Sequence, residues 1–325
     1  MSAYIFRKTL VTLPVLFGTQ LLLFLIFFAV SSPTDIARRV KGPKAKEEVL
    51  QRWIAEKGYD KPVFYNSQAT SLKTKVQDTI FFSYISKLCT FSFGKSDYDD
   101  QPIWWKLKDG VGPSLFLTIP IIFASLLISI FISMLAAMFR DTYIDRSTVI
   151  FSVTAMSVVY FLYIVAGQFL FSVQFKWFPV SGWSDEHKLY FAALPILIGC
   201  IANIGESTRF YRTIMLNEIH ADYIRTARAK GLGDLTILFK HLLRNAMIPI
   251  LTRVIMLLPY MFTGSLLLES FFGIPGLGRL TVDAINFNDF STISAVVYLS
   301  AILYIAANLI NDLSYTVVDP RVRLS

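Results

Sequence analysis

The sequence predicts an all-α integral membrane protein with about six transmembrane helices and a small extracytoplasmic α-rich insertion. Three observations predict it. Hydrophobic residues make up 54% of the 325 positions, Phe occurs 28 times, and the mean hydropathy of +0.53 is too high for an ordinary soluble domain. The apolar residues come in blocks close to the roughly 20 residues needed to cross hydrocarbon. Basic residues gather in alternate connections between those blocks. The formal net charge of +8 is therefore assigned to loops beside a bilayer, and nucleic acid is not an expected partner.

The blocks lie at about 9–30, 113–139, 148–175, 189–205, 248–268 and 291–317. Residues 1–30 read as an N-terminal stub and first span. Ala29-Val30-Ser31 resembles a cleavage site, but the apolar run exceeds the roughly 7–15 residues of a signal core, so a retained span is expected. Residues 31–112 read as an outer subdomain, with a helix over 44–57 bounded by Pro43, Gly58 and Pro62. Residues 113–325 read as a core of five further spans. The third block is long for one crossing and is expected to tilt or to end at the interface, where Trp177 and Phe178 would sit. The fourth is short and carries Pro195, so a broken or tilted span is expected.

Charge gives the orientation. With the N-terminus inside, the inner connections hold Arg7 and Lys8, then Arg140 and Arg146, then the basic run from Arg209 to Arg244, and finally Arg321 and Arg323. The short outer connections hold only Lys176, Lys188 and Arg279, which places both termini in the cytoplasm. The basic segment 31–112 does not count against this, because connections longer than about 60 residues cross largely regardless of charge.

Residues 206–247 form the most organised connection. On a helix from Ala221, the residues Tyr223, Ile224, Ala227 and Gly231 share one side, while Asp222, Arg225 and Ala229 share the other, with Arg228 on the flank. Gly231 suits a helix end. Asp234 is expected to cap a second helix, Leu235 to about Met247, with Leu235, Leu238, Leu242 and Ala246 apolar and Pro249 marking where the fifth span begins. Such a lever could carry a push into the spans. Periodicity alone leaves a second reading open, a basic amphipathic helix lying on anionic lipid.

Other motifs carry no chemistry. Gly94-Lys95-Ser96 lacks the P-loop glycine, since the required position is Cys89. His187, His220 and His241 are dispersed, the two cysteines Cys89 and Cys200 are not expected to pair, and no catalytic triad or carboxylate pair is visible. The chain is therefore not expected to be an enzyme by itself. Polar residues at span depth are Arg253, Glu269, Asn308, Asn311 and Asp312. The plain reading is snorkelling for Arg253, interface exposure for Glu269 and helix–helix hydrogen bonding for Asn308 and Asp312.

Several blocks together resemble one family. They are GYDKP at 58–62, SFGKS at 92–96, FPVSG at 178–182, DYIRTARAKGL at 222–232, HLLRNAMIP at 241–249, ESFFGIPGLGRL at 269–280 and NLINDLSYTVVDPRVR at 308–323. In this order they resemble the first permease of the oligopeptide/dipeptide/nickel group of bacterial ABC importers, and the match covers nearly the whole chain. The resemblance implies the type I importer permease fold in the bacterial inner membrane. It implies that Asp222, Tyr223, Ile224, Arg225, Thr226, Ala227, Arg228, Ala229, Lys230, Gly231 and Leu232 form the coupling helix that docks in a groove of the ATPase. Arg225 stands where the general importer pattern has Glu, as in the peptide branch. The matching blocks further mark Pro249, Glu269, Pro275, Gly276, Gly278, Asn308, Asp312, Asp319 and Arg321 as structural or gating candidates.

The implied partners are a second, related permease, one or two cytoplasmic P-loop ATPases, an extracytoplasmic solute-binding protein and the lipid bilayer. The chain itself would bind no cofactor or metal, with ATP and Mg held by the ATPases. Di- or oligopeptides lead as substrate, ahead of nickel chelates and peptide-like toxins or antimicrobial peptides. Ser31-Ser32-Pro33-Thr34-Asp35 departs from the Pro-Gly-Asp-Pro-like run of the family and bears on substrate class. A membrane receptor or embedded enzyme is the alternative from another class.

Overall fold

The computed structural model describes residues 2–30, 32–66 and 72–318, so Asp319 and Arg321 lie outside the described residues. Among the described residues the chain is helical, and its one pairing of extended segments is an isolated bridge between Lys95 and Pro102. Five helices are long and apolar enough to cross a membrane, or six when one bent pair is taken as a span. The chain divides into two compact units, one formed by residues up to 112 with 276–309, the other by 113–275 with 310–318.

The first unit contains α1 (Ser2–Val30), α2 (Pro33–Lys41), α3 (Glu47–Lys57), α4 (Leu72–Gln77), α5 (Ile80–Cys89) and the start of α6 (Ile103–Met138). Residues 276–309 add α14 (Leu277–Asn286) and the first part of α15 (Phe290–Val318). Segment 31–112 therefore does not stand apart; it packs with α1 and the start of α15. Phe24 is fully buried, and the rings of Phe28, Phe64, Phe81, Tyr84 and Phe290 surround it. The expected helix over 44–57 begins later, at Glu47, with Lys46 extended as its N-cap, and it ends as expected at Gly58, whose φ of 74° is left-handed.

Two buried carboxylates fix the SFGKS segment to the N-terminus of α15. Asp289 accepts from Thr292 N (3.1 Å), the Thr292 hydroxyl (2.6 Å), Asp97 N (3.0 Å) and the Ser96 hydroxyl. Asp97 accepts from Ser291 N (2.9 Å) and meets Lys57 Nζ at 3.1 Å. Carboxylates suit this place because the first N–H groups of a helix lack partners within it. Burial pushes the Asp97 carboxyl above the usual range, opposed by the Lys57 ammonium.

The second unit contains the rest of α6, α7 (Tyr143–Ser157), α8 (Tyr160–Gly167) continued by a π-helical turn Gln168–Gln174, and α9 (Lys188–Ile219). Next come α10 (Asp222–Ala229), α11 (Asp234–Thr236), a second π-helical segment Ile237–Leu242, α12 (Leu243–Thr263) and α13 (Leu266–Phe272).

Four expectations about this unit are corrected. The third block is not one tilted helix: α7 and the α8–π helix meet at a 91° bend. Val158 and Val159 are extended there, consistent with the low helix propensity of β-branched residues, and the Tyr163 hydroxyl bridges the break to Ala155 O at 2.9 Å. The fourth block is not broken at Pro195. It lies in a continuous 32-residue helix whose charged second half, from Glu206, extends past the apolar block. Asp234 is the first residue of α11 rather than its cap, a position taken by Gly233. Pro249 lies inside α12 and marks no boundary.

Candidate functional site

The segment from 222 to 250 is built on one buried cluster. Ile224 is fully buried and Ala227 nearly so. They pack with Tyr211 and Met215 of α9, with Met134 and Ala137 of α6, and with Ile237, Leu238, Leu242, Ala246 and Ile250. Leu235, expected on this apolar line, is exposed, and Ile237 is buried instead. The reason is the π-helical segment: its i→i+5 bonding shifts the register of the helical face.

The end of α10 is set by Gly231. Its φ of 75° turns the chain, Leu232 N bonds to Ala227 O at 3.3 Å, and Gly231 N bonds to Arg228 O at 2.9 Å. Asp222, Arg225, Thr226, Arg228, Ala229, Lys230 and Leu232 are exposed. Arg225 meets Asp222 at 3.4 Å with 74% of its side chain exposed, so that pair adds little stability. Tyr223 is half-exposed, and its hydroxyl donates to Glu218; burial, then that contact, pushes its pKa up to about 12. At the neighbouring turn, Arg140 contacts His220. Below it, Asp145 on α7 is held by Arg212 of α9 through two bonds of 2.6 and 2.8 Å.

A second cluster joins two of the sequence blocks. Gly182 N donates to Phe272 O at 2.8 Å, and Gln168 Nε2 reaches both Val180 O and Phe271 O. Glu269 is 0% exposed, which overturns its expected exposure at the interface. It accepts from the Ser114 hydroxyl and from Ser265 N, both at 2.9 Å. Pro275 follows directly, after Gly273 ends α13 with a φ of 69°. Gly276 precedes α14 as its cap, and Gly278 is buried inside that helix. Glu269→Ala is expected to lower folded yield, because each orphaned buried partner costs about 1–3 kcal/mol. Glu269→Gln, which keeps the acceptor, is expected to restore most of it, as read by detergent-solubilised monodisperse protein.

Arg253 is not a snorkelling side chain. It forms an ion pair with Glu206 at 2.6 Å and stacks over Phe210 with its guanidinium carbon 4.5 Å from the ring centre. Hydropathy cannot reveal such a pair, because its members lie 47 residues apart. Asn308 and Asp312 are half-buried on α15.

Residues 129–324, which include this whole arrangement of α9 to α13, match the family of binding-protein-dependent transport system inner membrane components. The chain belongs to that family. It is 31% identical to the "Glutathione transport system permease protein GsiC" of Shigella flexneri serotype 5b, over 99% of each chain. It is also 31% identical to the "Probable peptide ABC transporter permease protein y4tP" of Sinorhizobium fredii, over 99% of this chain and 100% of that one. GsiC of Escherichia coli K12 is again 31% identical over 99% of each. The chain is a multi-pass inner membrane permease of an ABC transport system, with the type I importer fold. Permeases of this family work with an ATPase and a binding protein.

Proposed function

We propose that this permease imports short peptides and is driven through the segment 222–232 by cytoplasmic ATPases. The observation that carries the reading is the two-sidedness of α10. Its inner face, Ile224 and Ala227, is fixed to the ends of α6, α9 and α12, while its outer face presents Arg225, Arg228 and Lys230 without cover. A rigid seat on three long helices transmits a displacement; an exposed basic rim gives a partner its register. The peptide cargo is supported by the relatives, one named for glutathione transport and one for peptide transport.

The remaining assignments follow from charge and packing. Both termini and α10 face the cytoplasm, by the distribution of Lys and Arg. The chain itself binds no cofactor and hydrolyses no ATP; ATP and Mg are held by one or two P-loop ATPases. A second, related permease completes the path. The Arg253–Glu206 pair fits this: Arg253 lies inside α12, and a charged group within a span faces a water-filled path or another protein rather than lipid.

The test is to tag the chain at native expression, extract it gently and identify co-purifying proteins by mass spectrometry. A second permease and at least one P-loop ATPase are expected. Recovery of the chain alone, under conditions that preserve other ABC complexes, would sink the reading and favour the lipid-surface role of α10.

A further inference from the structure

The first unit contains a cavity of about 550 Å³ that the transport reading does not use. That volume is in the range of small-molecule sites. Four segments build it. Ile80, Ser83, Tyr84, Lys87 and Leu88 come from one face of α5, at helical spacing. Phe290, Ser291 and Ser294 come from the first turns of α15, the end of α3 supplies Glu56 to Tyr59, and the SFGKS loop supplies Phe93 to Lys95.

The charges on its wall are not balanced. Glu56 is engaged by Arg52 at 3.2 Å, and Asp100 by Lys57 at 3.6 Å and Lys41 at 4.0 Å. Lys57 is taken up by Asp97. Lys87 and Lys95 form no ion pair among the described residues and remain as cations at the cavity. Ser294 on the same wall is 2% exposed and its Oγ is sealed against the Tyr84 hydroxyl, so the polar groups open to a ligand are the two lysines. Phe93, Phe290, Ile80 and Leu88 give the cavity an apolar side.

We propose that this cavity is a binding site for the free carboxylate end of a short peptide with an apolar terminal side chain. Lys87 and Lys95 take the carboxylate, and the aromatic wall takes the side chain. The site rests on the reading that this unit faces outward in a peptide importer. It would hold cargo on the outer side of the permease, independently of the binding protein.

The test uses the permease–ATPase complex in phosphatidylcholine nanodiscs without binding protein, titrated with alanylphenylalanine and with its C-terminal amide. The free acid is expected to bind saturably, and the amide at least about tenfold more weakly, the loss expected for one charge-assisted contact. Lys87→Gln with Lys95→Gln is expected to weaken the acid to a similar degree while leaving basal ATP hydrolysis unchanged. Equal affinity for acid and amide, no saturable binding, or binding indifferent to both lysines would overturn the proposal. So would recovery of anionic phospholipid with the wild type but not with the double variant, together with no dipeptide binding. Uptake by the same complex with its binding protein is measured in parallel. Intact uptake without dipeptide binding removes only this site; absent uptake in a well-assembled complex removes the importer reading, while the acid-to-amide comparison still decides the site.

Discussion

Arg225→Glu with Arg228→Glu leaves the permease folded and the ATPase active but lowers solute uptake by about tenfold or more. The expectation follows from where the two side chains sit. Both are exposed on α10, and neither belongs to the cluster that seats the helix. Replacing them therefore removes no core contact, and surface changes of this kind usually shift stability by less than about 0.5 kcal/mol. What changes is the sign of the rim presented to a partner, where like charges cost several kcal/mol of docking free energy. Ile224→Asp is the contrasting variant. It buries a carboxylate among Tyr211, Met215 and Leu242, so it is expected to lose both folded yield and uptake. ATP hydrolysis and uptake measured in the same proteoliposomes separate the two outcomes. Wild-type uptake by the double arginine variant would show that the rim has no part in coupling.

Gly205→Val is expected to destabilise the spans strongly. A Cβ at Gly205 would stand 2.7 Å from Ala155 Cβ and 3.1 Å from the backbone oxygen of Ser152. The second of these is a helix carbonyl, which cannot swing aside as a side-chain end can. Small residues let membrane helices approach this closely, and α7 and α9 use that approach just beside the 91° bend. Overpacking of this kind costs about 1–3 kcal/mol in a core that can adjust, and the backbone contact puts the cost at the upper end. Gly205→Ala tests the same contact with less volume. The thermal midpoint of aggregation in detergent is expected to fall in the order wild type, Ala, Val. Gly112→Val, where nothing lies within 4 Å of the added Cβ, is the control for an added side chain without a clash. An unchanged midpoint for Gly205→Val would mean that α7 and α9 do not pack this closely.

The parts of the fold legible in the sequence are those set by local pattern. Apolar length gave the spans, and the 3.6-residue period with Gly231 gave a short helix, a turn and a second helix between 222 and 247. The rest depends on partners far along the chain. Glu269 has the look of an interface residue until Ser114, 155 positions away, is placed against it. The same holds for Arg253 with Glu206, and for Asp97 with Asp289, 192 positions away. The bend at Val158 and Val159 leaves no mark in the sequence because both valines continue an apolar block, so hydropathy runs through a break that backbone conformation makes. The π-helical segment 237–242 leaves none because it changes register without changing composition, which is why Leu235 is exposed and Ile237 buried.

On this reading α10 is the part of the permease that an ATPase grips. Its most direct test is site-directed cross-linking. Cys89 and Cys200 are both free and are first replaced by serine. Cysteine is then introduced singly at Arg225, and at Trp105 of the first unit as a control. A maleimide–benzophenone reagent, attached through the thiol and then photoactivated to insert into any nearby C–H bond, is expected to join the Arg225→Cys chain to a P-loop ATPase, with a yield that changes when ATP is added, and to leave the Trp105→Cys chain unjoined to it. Absence of an ATPase adduct at Arg225→Cys, in a complex that still contains the ATPase and hydrolyses ATP, would show that the ATPase docks elsewhere.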